Sequence, residues 1–284
     1  MDSSLGYFES IGDLLNNSPH REERFWSDIR MTGFQELDKS LGGFRAGELV
    51  VVGSQFDWLI PGIFLQMIET VAITEQRPVL HIRVGRNLRN LVGSWLKRTG
   101  ADPEWRESCK NAAQPDSEKV SELSGAPLYV LDAHGYSCQN LFNAIDSCAK
   151  SIKPLGMIVI DGLEHLNIWT GIPETSLPAR WADVSNELKF LASRHQCPVI
   201  VDSRINSCEP DGTKIEMPKL QHFPHGSAIA SSADHVLVLE AVNGVMTGEP
   251  ASLYSAYSHT GLECHWMQLR YEHDSDRWVE VIER

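Results

Sequence analysis

The residues that bear most directly on chemistry lie in a strand–turn–helix segment in the first quarter of the chain. Leu49–Ser54 reads LVVVGS, an apolar strand that ends in small residues, and a helical apolar stretch follows at Ile63–Ile73. A turn between two such elements binds nucleotide phosphates when it reads G-x-x-x-x-G-K-[ST]. Its backbone N–H groups and its lysine then contact the phosphates, and its hydroxyl holds Mg²⁺. This chain has QFDWLIP at Gln55–Pro61 instead.

Each change in this degenerate loop, which begins at Ser54, removes one specific function. Leu59, Ile60 and Pro61 stand where Gly, Lys and Thr would be. Leucine prevents a close approach of the backbone, isoleucine supplies no charge, and proline supplies neither a hydroxyl nor a backbone N–H. No Gly-Lys dipeptide occurs elsewhere, so the motif has not moved. The alternative interpretation is an ordinary turn of a parallel sheet that never bound phosphate.

Composition limits the function classes further. The 284 residues are 42% apolar, which is enough for a full core in one domain with extensions. The net charge is −13 and the pI is about 5.3, so we expect weak or no autonomous DNA binding. The most basic stretch, Arg83–Arg98, is interpreted as the solvated face of a helix.

Cysteine and histidine usage predicts neither disulfides nor a metal site. The six cysteines form no C-x-x-C pair, which is typical of free thiols in a reducing cytoplasm. The His222–His225 segment (HFPH) has no cysteine nearby in sequence, so we expect a polar loop there rather than a zinc site. No run approaches ~20 apolar residues and no signal peptide is evident, so we expect a cytoplasmic protein without membrane contact.

Short apolar runs alternate with helical patterns along most of the chain, which predicts an α/β fold with a mostly parallel sheet covered by helices on both faces. The predicted strands are Leu49–Ser54, Pro78–Val84, Pro127–Asp132, Leu155–Asp161, Pro198–Ser203 and Asp234–Glu240, with a terminal antiparallel hairpin of Cys264–Tyr271 and Arg277–Ile282. The predicted helices after Ile63–Ile73 are Leu88–Thr99, Gln139–Ile152 and Arg180–His195. Long polar loops are expected at Cys109–Ser124 and Asn206–Ser227.

The N-terminal part is predicted to be separate from this α/β domain. Residues 4–17 have apolar side chains at the spacing of a short amphipathic helix, and Ser18–Arg30 reads as a linker. We therefore divide the chain into an N-terminal helix and linker (1–30) and one domain (31–284).

Four ordered segments resemble the C-terminal, RecA-like motor domain of DnaB-type replicative helicases. Thr32–Val52 resembles that family's lead-in to the first strand, and Ile158–Leu166 (IVIDGLEHL) resembles its Walker B strand. Leu188–Asn206 resembles the segment that ends in S-Q-L-N, and Gly226–Leu239 resembles a later strand entry. The resemblance covers residues 32–284 and implies a RecA-like P-loop NTPase fold.

The resemblance also implies that most of the catalytic groups are gone. The family's catalytic Glu aligns with Gly85, and its γ-phosphate-sensing Gln aligns with Arg204. The Lys-x-Arg finger pair aligns with Gln268 and Arg270, so only the arginine remains. Asp161, the Walker B acid, is kept, and Arg204 is a candidate partner for it where Mg²⁺ would have been.

Three functions stay open from the sequence. The favoured one is a catalytically degenerate DnaB-like protein without ATP or Mg²⁺. It would act through self-association or contact with a DnaB-family or replication protein, in DNA replication or in a mobile element. The helix at residues 4–17 would then pack on a neighbouring subunit; the alternative is that it folds back onto its own domain. The second function is an active ATP-dependent helicase or ATPase with a non-standard nucleotide site, and the third is a RecA-fold scaffold unrelated to DNA.

Overall fold

The architecture is that of a computed structural model, which describes residues 28–85, 87–99, 118–166, 176–209, 211–224, 228–241, 250–259 and 266–281. The predicted helix at residues 4–17 and most of the predicted linker lie outside these ranges. The last two residues assigned to the linker, Ile29–Arg30, form a short strand.

A nine-stranded sheet runs through the centre of the domain in the order β11-β10-β9-β8-β3-β7-β6-β4-β5. The strands from β8 to β5 in this order are parallel, and β9, β10 and β11 continue the sheet in antiparallel pairs. Its strands are β3 (Leu49–Ser54), β4 (Val79–Arg83), β5 (Leu128–Asp132), β6 (Met157–Asp161), β7 (Val199–Arg204), β8 (His235–Ala241), β9 (Ala251–Ser258), β10 (Trp266–Glu272) and β11 (Arg277–Glu280). A separate two-stranded ribbon pairs β1 (Ile29–Arg30) with β2 (Phe44–Arg45).

Helices cover both faces of the sheet. Their bounds are α1 (Gln35–Leu41), α2 (Ile60–Glu69, continued by a π-turn at Thr70–Thr74), α3 (Leu88–Arg98), α4 (Glu118–Gly125), α5 (Cys138–Ser151) and α6 (Leu177–His195). Helices α1, α2 and α3 pack on one face with Val50 and Val52, and α5 and α6 pack on the other with Leu49 and Val51. Successive residues of β3 point to opposite faces, so a continuous apolar run fills both halves of the core.

The sheet confirms the predicted α/β class, and each predicted strand overlaps an observed one. Five elements were missed, and two of them are the short strands β1 and β2 of the ribbon. Ala251–Ser258 (ASLYSAYS), which forms β9, carries too many serines to read as a buried run. Helix α1 lies in the lead-in segment, and α4 occupies the end of what was predicted as the Cys109–Ser124 loop.

The interpretation of Arg83–Arg98 as a solvated helix face is wrong at both ends. Arg83 ends strand β4 and Arg98 ends helix α3, and both side chains are buried. Arg98 is held by Glu69, by the amide of Gln66 and by the carbonyl of Asp276. Two residues of this basic stretch therefore form internal ion pairs. The spacing of basic residues in the sequence does not show which of them are buried.

No helix within the described ranges is long and apolar enough to cross a membrane. The cysteines that the structure describes, Cys138, Cys148, Cys197 and Cys208, are free thiols.

Candidate functional site

The degenerate loop lies at the carboxyl ends of the parallel strands, where ligands bind in open α/β sheets. Ser54 ends β3, and a single turn of 3₁₀-helix at Asp57–Leu59 leads directly into α2. Helix α2 begins at Ile60, three residues earlier than predicted, so the turn is shorter than a phosphate-binding loop.

The backbone of this turn uses donors that a phosphate-binding loop leaves free. The N–H of Phe56 donates to Oγ of Ser54 at 3.1 Å, and the N–H of Leu59 donates to the carbonyl of Phe56 at 3.1 Å. Phosphate binding at such a turn needs backbone N–H groups that point outward to the anion. Here two of them are satisfied within the loop itself.

The side chains of Leu59 and Ile60 belong to the core. They are 2% and 1% exposed, and they join the cluster beneath helix α2. The indole N–H of Trp278, from β11, donates to the carbonyl of Leu59 at 3.3 Å. A Cβ on Gly62 would lie 2.9 Å from the same indole nitrogen, so the glycine allows the hairpin to pack on the start of α2.

Asp161 is completely buried and forms an ion pair with Arg83, whose Nη1 lies 2.9 Å from Oδ2 of Asp161. The two residues are register partners at the ends of the neighbouring strands β6 and β4. His81, also buried, places Nε2 3.9 Å from the same oxygen. Burial lowers the pKa of the His81 imidazole, so that ring is neutral and the guanidinium supplies the charge that balances Asp161.

The predicted pairing of Asp161 with Arg204 is wrong. Strand β7 places Val201 beside Ile160, so Arg204 lies beyond the end of β6, where its side chain is exposed. The backbone N–H of Arg204 donates to the carboxylate of Glu164 instead. The sequence alone did not show that a basic residue already ended the strand on the other side of β6.

Gly85, which the sequence resemblance aligns with a catalytic glutamate, has no room for a side chain. Its φ is +74°, a left-handed conformation that favours glycine, and a Cβ would lie 2.5 Å from Cβ of His165. His165 therefore occupies the space that a side chain at position 85 would need.

The second predicted catalytic residue, Arg270, does not meet Asp161 within the chain. Strands β10 and β6 are separated in the sheet by β9, β8, β3 and β7. The guanidinium of Arg270 is exposed and lies 3.9 Å from Glu272, and Gln268, at the companion position, donates to Ser252. The charge of Arg270 is available to an external group but not to this site.

A cavity of about 530 Å³ opens beside the degenerate loop. Helix α3, the start of α2 and the β10–β11 hairpin surround it, and Arg83, Gly85 and His165 form its inner wall. Lys97, Asn87 and Asp276 add polar groups to its lining. Because Arg83 is already paired with Asp161, Lys97 is the lining cation best placed to attract a small anion, and Asp276 opposes that attraction.

Comparison with known proteins places this site in a family. The model of the DnaB-like helicase C-terminal domain matches residues 30–251, more than three quarters of the chain. The chain belongs to the DnaB-like helicase C-terminal domain family. The degenerate loop, Asp161 and Arg204 all lie within the matched residues.

Relatives of this DnaB-like chain are distant and longer. The replicative DNA helicase DnaC of Bacillus subtilis (strain 168) is 25% identical over 241 residues, 82% of this chain and 52% of that protein. The replicative DNA helicase DnaB of Geobacillus stearothermophilus is 24% identical over 82% of this chain and 53% of its own length. The chain spans about half the length of the curated relatives it matches.

Solved structures confirm the RecA-like fold. An isolated ATPase domain superposes with a TM-score of 0.78 at 15% identity, covering 97% of this chain and all of that one. A DnaB-like replicative helicase, whose structure includes its interactions with primase, gives a TM-score of 0.75 at 14% identity over 98% of this chain and 68% of its own. A KaiC-like protein from Pyrococcus horikoshii OT3 gives 0.61 at 13% identity over 89% and 99% of the two chains.

Proposed function

We propose that this DnaB-like protein does not hydrolyse ATP and acts through protein–protein contacts, in DNA replication or in a mobile element. The observation that carries the proposal is the buried ion pair between Arg83 and Asp161. Asp161 is the acid that the family's Walker B motif places near Mg²⁺. A guanidinium 2.9 Å from its carboxylate satisfies the charge that a metal ion would otherwise balance.

Three further contacts support the same conclusion, because the residues present do not fit a Mg–triphosphate. The loop N–H groups of Phe56 and Leu59 are hydrogen-bonded within the loop. Ile60 is buried in the core at the position of the phosphate-binding lysine. His165 fills the space next to Gly85, where the family's water-activating glutamate would be. Phosphoryl transfer depends on positioning and charge stabilisation, and each of these contacts removes one contribution.

Steady-state ATPase assays of the full chain with Mg–ATP, with and without single-stranded DNA, test the proposal. We expect no turnover above the buffer rate. Turnover near ~1 s⁻¹, within the usual range of enzymes, that Asp161→Ala abolishes would contradict it. That control separates activity of this site from a contaminating ATPase.

The second candidate function is an ATPase or helicase with a non-standard nucleotide site, and the cavity beside the loop favours it. Arg83 and Lys97 both line the cavity, so an anionic ligand could bind there without a phosphate-binding loop. Calorimetric titration of wild type and Lys97→Ala with Mg–ATP distinguishes the two functions. Tight binding that Lys97→Ala weakens would favour the second, and no binding by either protein is expected from the first.

The partner is proposed to be a second copy of the chain or a protein of the replication machinery. Self-association predicts that the sedimentation coefficient of the full chain rises with concentration, and that Phe8→Asp, in the predicted helix at residues 4–17, lowers it. A monomer at all concentrations would contradict self-association. Recovery of replication proteins with the tagged chain from its native host would then separate the replication function from a scaffold unrelated to DNA.

A further inference from the structure

A second cluster of ionisable side chains lies at the opposite edge of the sheet. Glu48 directly precedes β3, His235 begins β8, and His259 directly follows β9. Because β8 runs parallel to β3 and antiparallel to β9, the starts of β3 and β8 and the end of β9 meet at this amino edge. Residues almost 190 and more than 200 positions apart in sequence thus become neighbours.

Each of the three side chains directs an atom that can bind a metal ion toward the other two. One ligand atom from each lies within 4.8 Å of the others. The Nε2 atom of His235 is 3.4 Å from Oε2 of Glu48, and Nε2 of His259 is 3.8 Å from Oε1. Ligands bound tetrahedrally to zinc at about 2.0–2.1 Å lie roughly 3.3–3.4 Å apart. The two histidine–carboxylate spacings, which end on different oxygens of Glu48, are close to this value, and the cluster as a whole, with spacings of up to 4.8 Å, must contract slightly to bind zinc.

Both imidazoles are oriented through their other nitrogen. The Nδ1 atom of His259 lies 3.3 Å from the main-chain carbonyl of Asp234, which can only accept, so Nδ1 carries the proton and Nε2 presents its lone pair. The Nδ1 atom of His235 lies 3.1 Å from the hydroxyl of Ser258, which is able to accept in the same way. An outer hydrogen bond that fixes the ring and its tautomer is a regular feature of histidines that bind metals.

His235 supplies an independent sign that a ligand is needed. The residue is completely buried, and its Nε2 atom faces Oε2 of Glu48 at 3.4 Å without meeting the geometry of a hydrogen bond. A buried polar atom that is poorly hydrogen-bonded is costly. A cation between Nε2 and the carboxylate would satisfy both groups.

The carboxylate of Glu48 can bind a cation, although the guanidinium of Arg45 competes for it. The backbone N–H of Arg45 donates to Oε2 of Glu48 at 2.7 Å, which holds the carboxylate toward the two histidines. The guanidinium of Arg45 lies 3.6 Å from Oε1, and its side chain is 30% exposed, so it can turn toward water.

We propose that Glu48, His235 and His259 bind one divalent transition-metal ion of the zinc type. Two imidazoles and a carboxylate favour zinc and its neighbours over Mg²⁺ or Ca²⁺, which prefer oxygen ligands. His259 is 41% exposed, so a water molecule completes the coordination from the solvent side. The ion clips the ends of three strands together at the edge opposite the degenerate loop.

Calorimetric titration of the chelator-treated full chain with ZnCl₂, together with Co²⁺ absorption spectroscopy, tests the site. We expect one equivalent to bind, an intense visible Co²⁺ spectrum of a four-coordinate site, and a melting temperature that rises with zinc concentration. His259→Ala, at an exposed position, should weaken binding at least about tenfold. His134→Ala, which removes another exposed histidine, should leave binding unchanged.

A variant that should bind zinc more tightly than wild type provides a second test. Arg45→Gln removes the competing guanidinium and keeps the backbone N–H that holds Glu48, so it should bind zinc more tightly than wild type. The proposal is overturned if wild type binds no zinc. It is also overturned if His259→Ala and Glu48→Gln bind zinc as wild type does, since the ion would then be held by other residues.

Discussion

The two edges of the sheet solve the same electrostatic problem in different ways. At the carboxyl edge, buried Asp161 is balanced by Arg83, a cation of the chain's own. At the amino edge, buried Glu48 faces two imidazole nitrogens and the guanidinium of Arg45, which lies 3.6 Å away on a partly exposed side chain. A buried carboxylate needs a compensating cation. Where the cation is buried beside the carboxylate, as at Asp161, we expect no bound metal ion; where the cation is partly exposed and can turn away, as at Glu48, the proposed metal ion would take its place.

The largest expected effect comes from removing the guanidinium that pairs with Asp161. Arg83→Met would leave Asp161 buried without a cation, and we expect the free energy of unfolding to fall by about 3–5 kcal/mol. Urea denaturation measures it. Adding Asp161→Leu to the same protein should recover most of the loss, because the uncompensated charge is then gone.

A loss below about 1 kcal/mol in Arg83→Met would mean that water or another group already compensates Asp161. The comparison between the two edges would then fail, because the carboxyl edge would no longer be closed by the chain itself.

A smaller effect is expected from placing a lysine in the degenerate loop. Ile60→Lys gives up the burial of a large aliphatic side chain and introduces an ammonium without a partner, so we expect a loss of about 2–4 kcal/mol. It should not restore Mg–ATP binding, because Pro61 still lacks a hydroxyl and Leu59 still packs in the core.

Ile63→Val, in the same helix and equally buried, provides the control for a simple packing change; its expected cost is about 0.5–1.5 kcal/mol. Tight Mg–ATP binding by Ile60→Lys would show that the loop still accommodates phosphate and that only the charge was missing.

Features that are local in sequence were predictable, and contacts between distant strands were not. The parallel strands were predictable because each is a continuous apolar run between polar segments, as with LVVVGS at β3. The absence of Gly-Lys-Thr at positions 59–61 was also readable, because a motif is local in sequence. Strand β9 was missed because its three serines lower its apolar content, although it pairs with β8 and half of its residues are buried.

The long-range pairings could not be predicted in the same way. Arg83 and Asp161 are 78 positions apart, and Glu48 and His259 are 211 positions apart. Only the strand order and register bring each pair together. The basic stretch at Arg83–Arg98 concealed the partner of Asp161 because composition does not distinguish a strand end from a helix surface.

Adding a methyl group at Gly85 should lower the free energy of unfolding by a modest amount. Gly85→Ala combines strain at φ +74° with a clash against His165, and we expect a loss of about 1–3 kcal/mol. Gly135→Ala is a matched control, because Gly135 has φ +75° with no atom within 4 Å of the added Cβ. The difference between the two in thermal unfolding isolates the contact with His165; equal losses would show that a side chain at position 85 has room.

The smallest effect is expected at a third carboxylate, that of Asp146. Like Asp161 it is paired with a cation of the chain, but it is partly exposed. Asp146 on α5 pairs with Arg194 and lies 2.8 Å from Nε2 of His195, at the end of α6. Partial burial opposes its ionisation, but the hydrogen bonds from Arg194 and His195 outweigh it, so the pKa of Asp146 lies below its ordinary value. The cation again comes from the chain, so this histidine–carboxylate pair should not bind zinc.

Because the folded-state pKa of Asp146 is lowered, its contribution is fully present above the carboxyl's unfolded pKa of about 3.9 and is lost as pH falls through the folded value. Asp146→Asn should therefore cost about 0.2–1 kcal/mol between pH 5 and 7, a value limited by solvent screening. Below about pH 4 the difference from wild type should shrink. Urea denaturation from pH 7 to pH 3 measures it, and a difference that grows as pH falls would show that Asp146 is destabilised, rather than stabilised, by its neighbours.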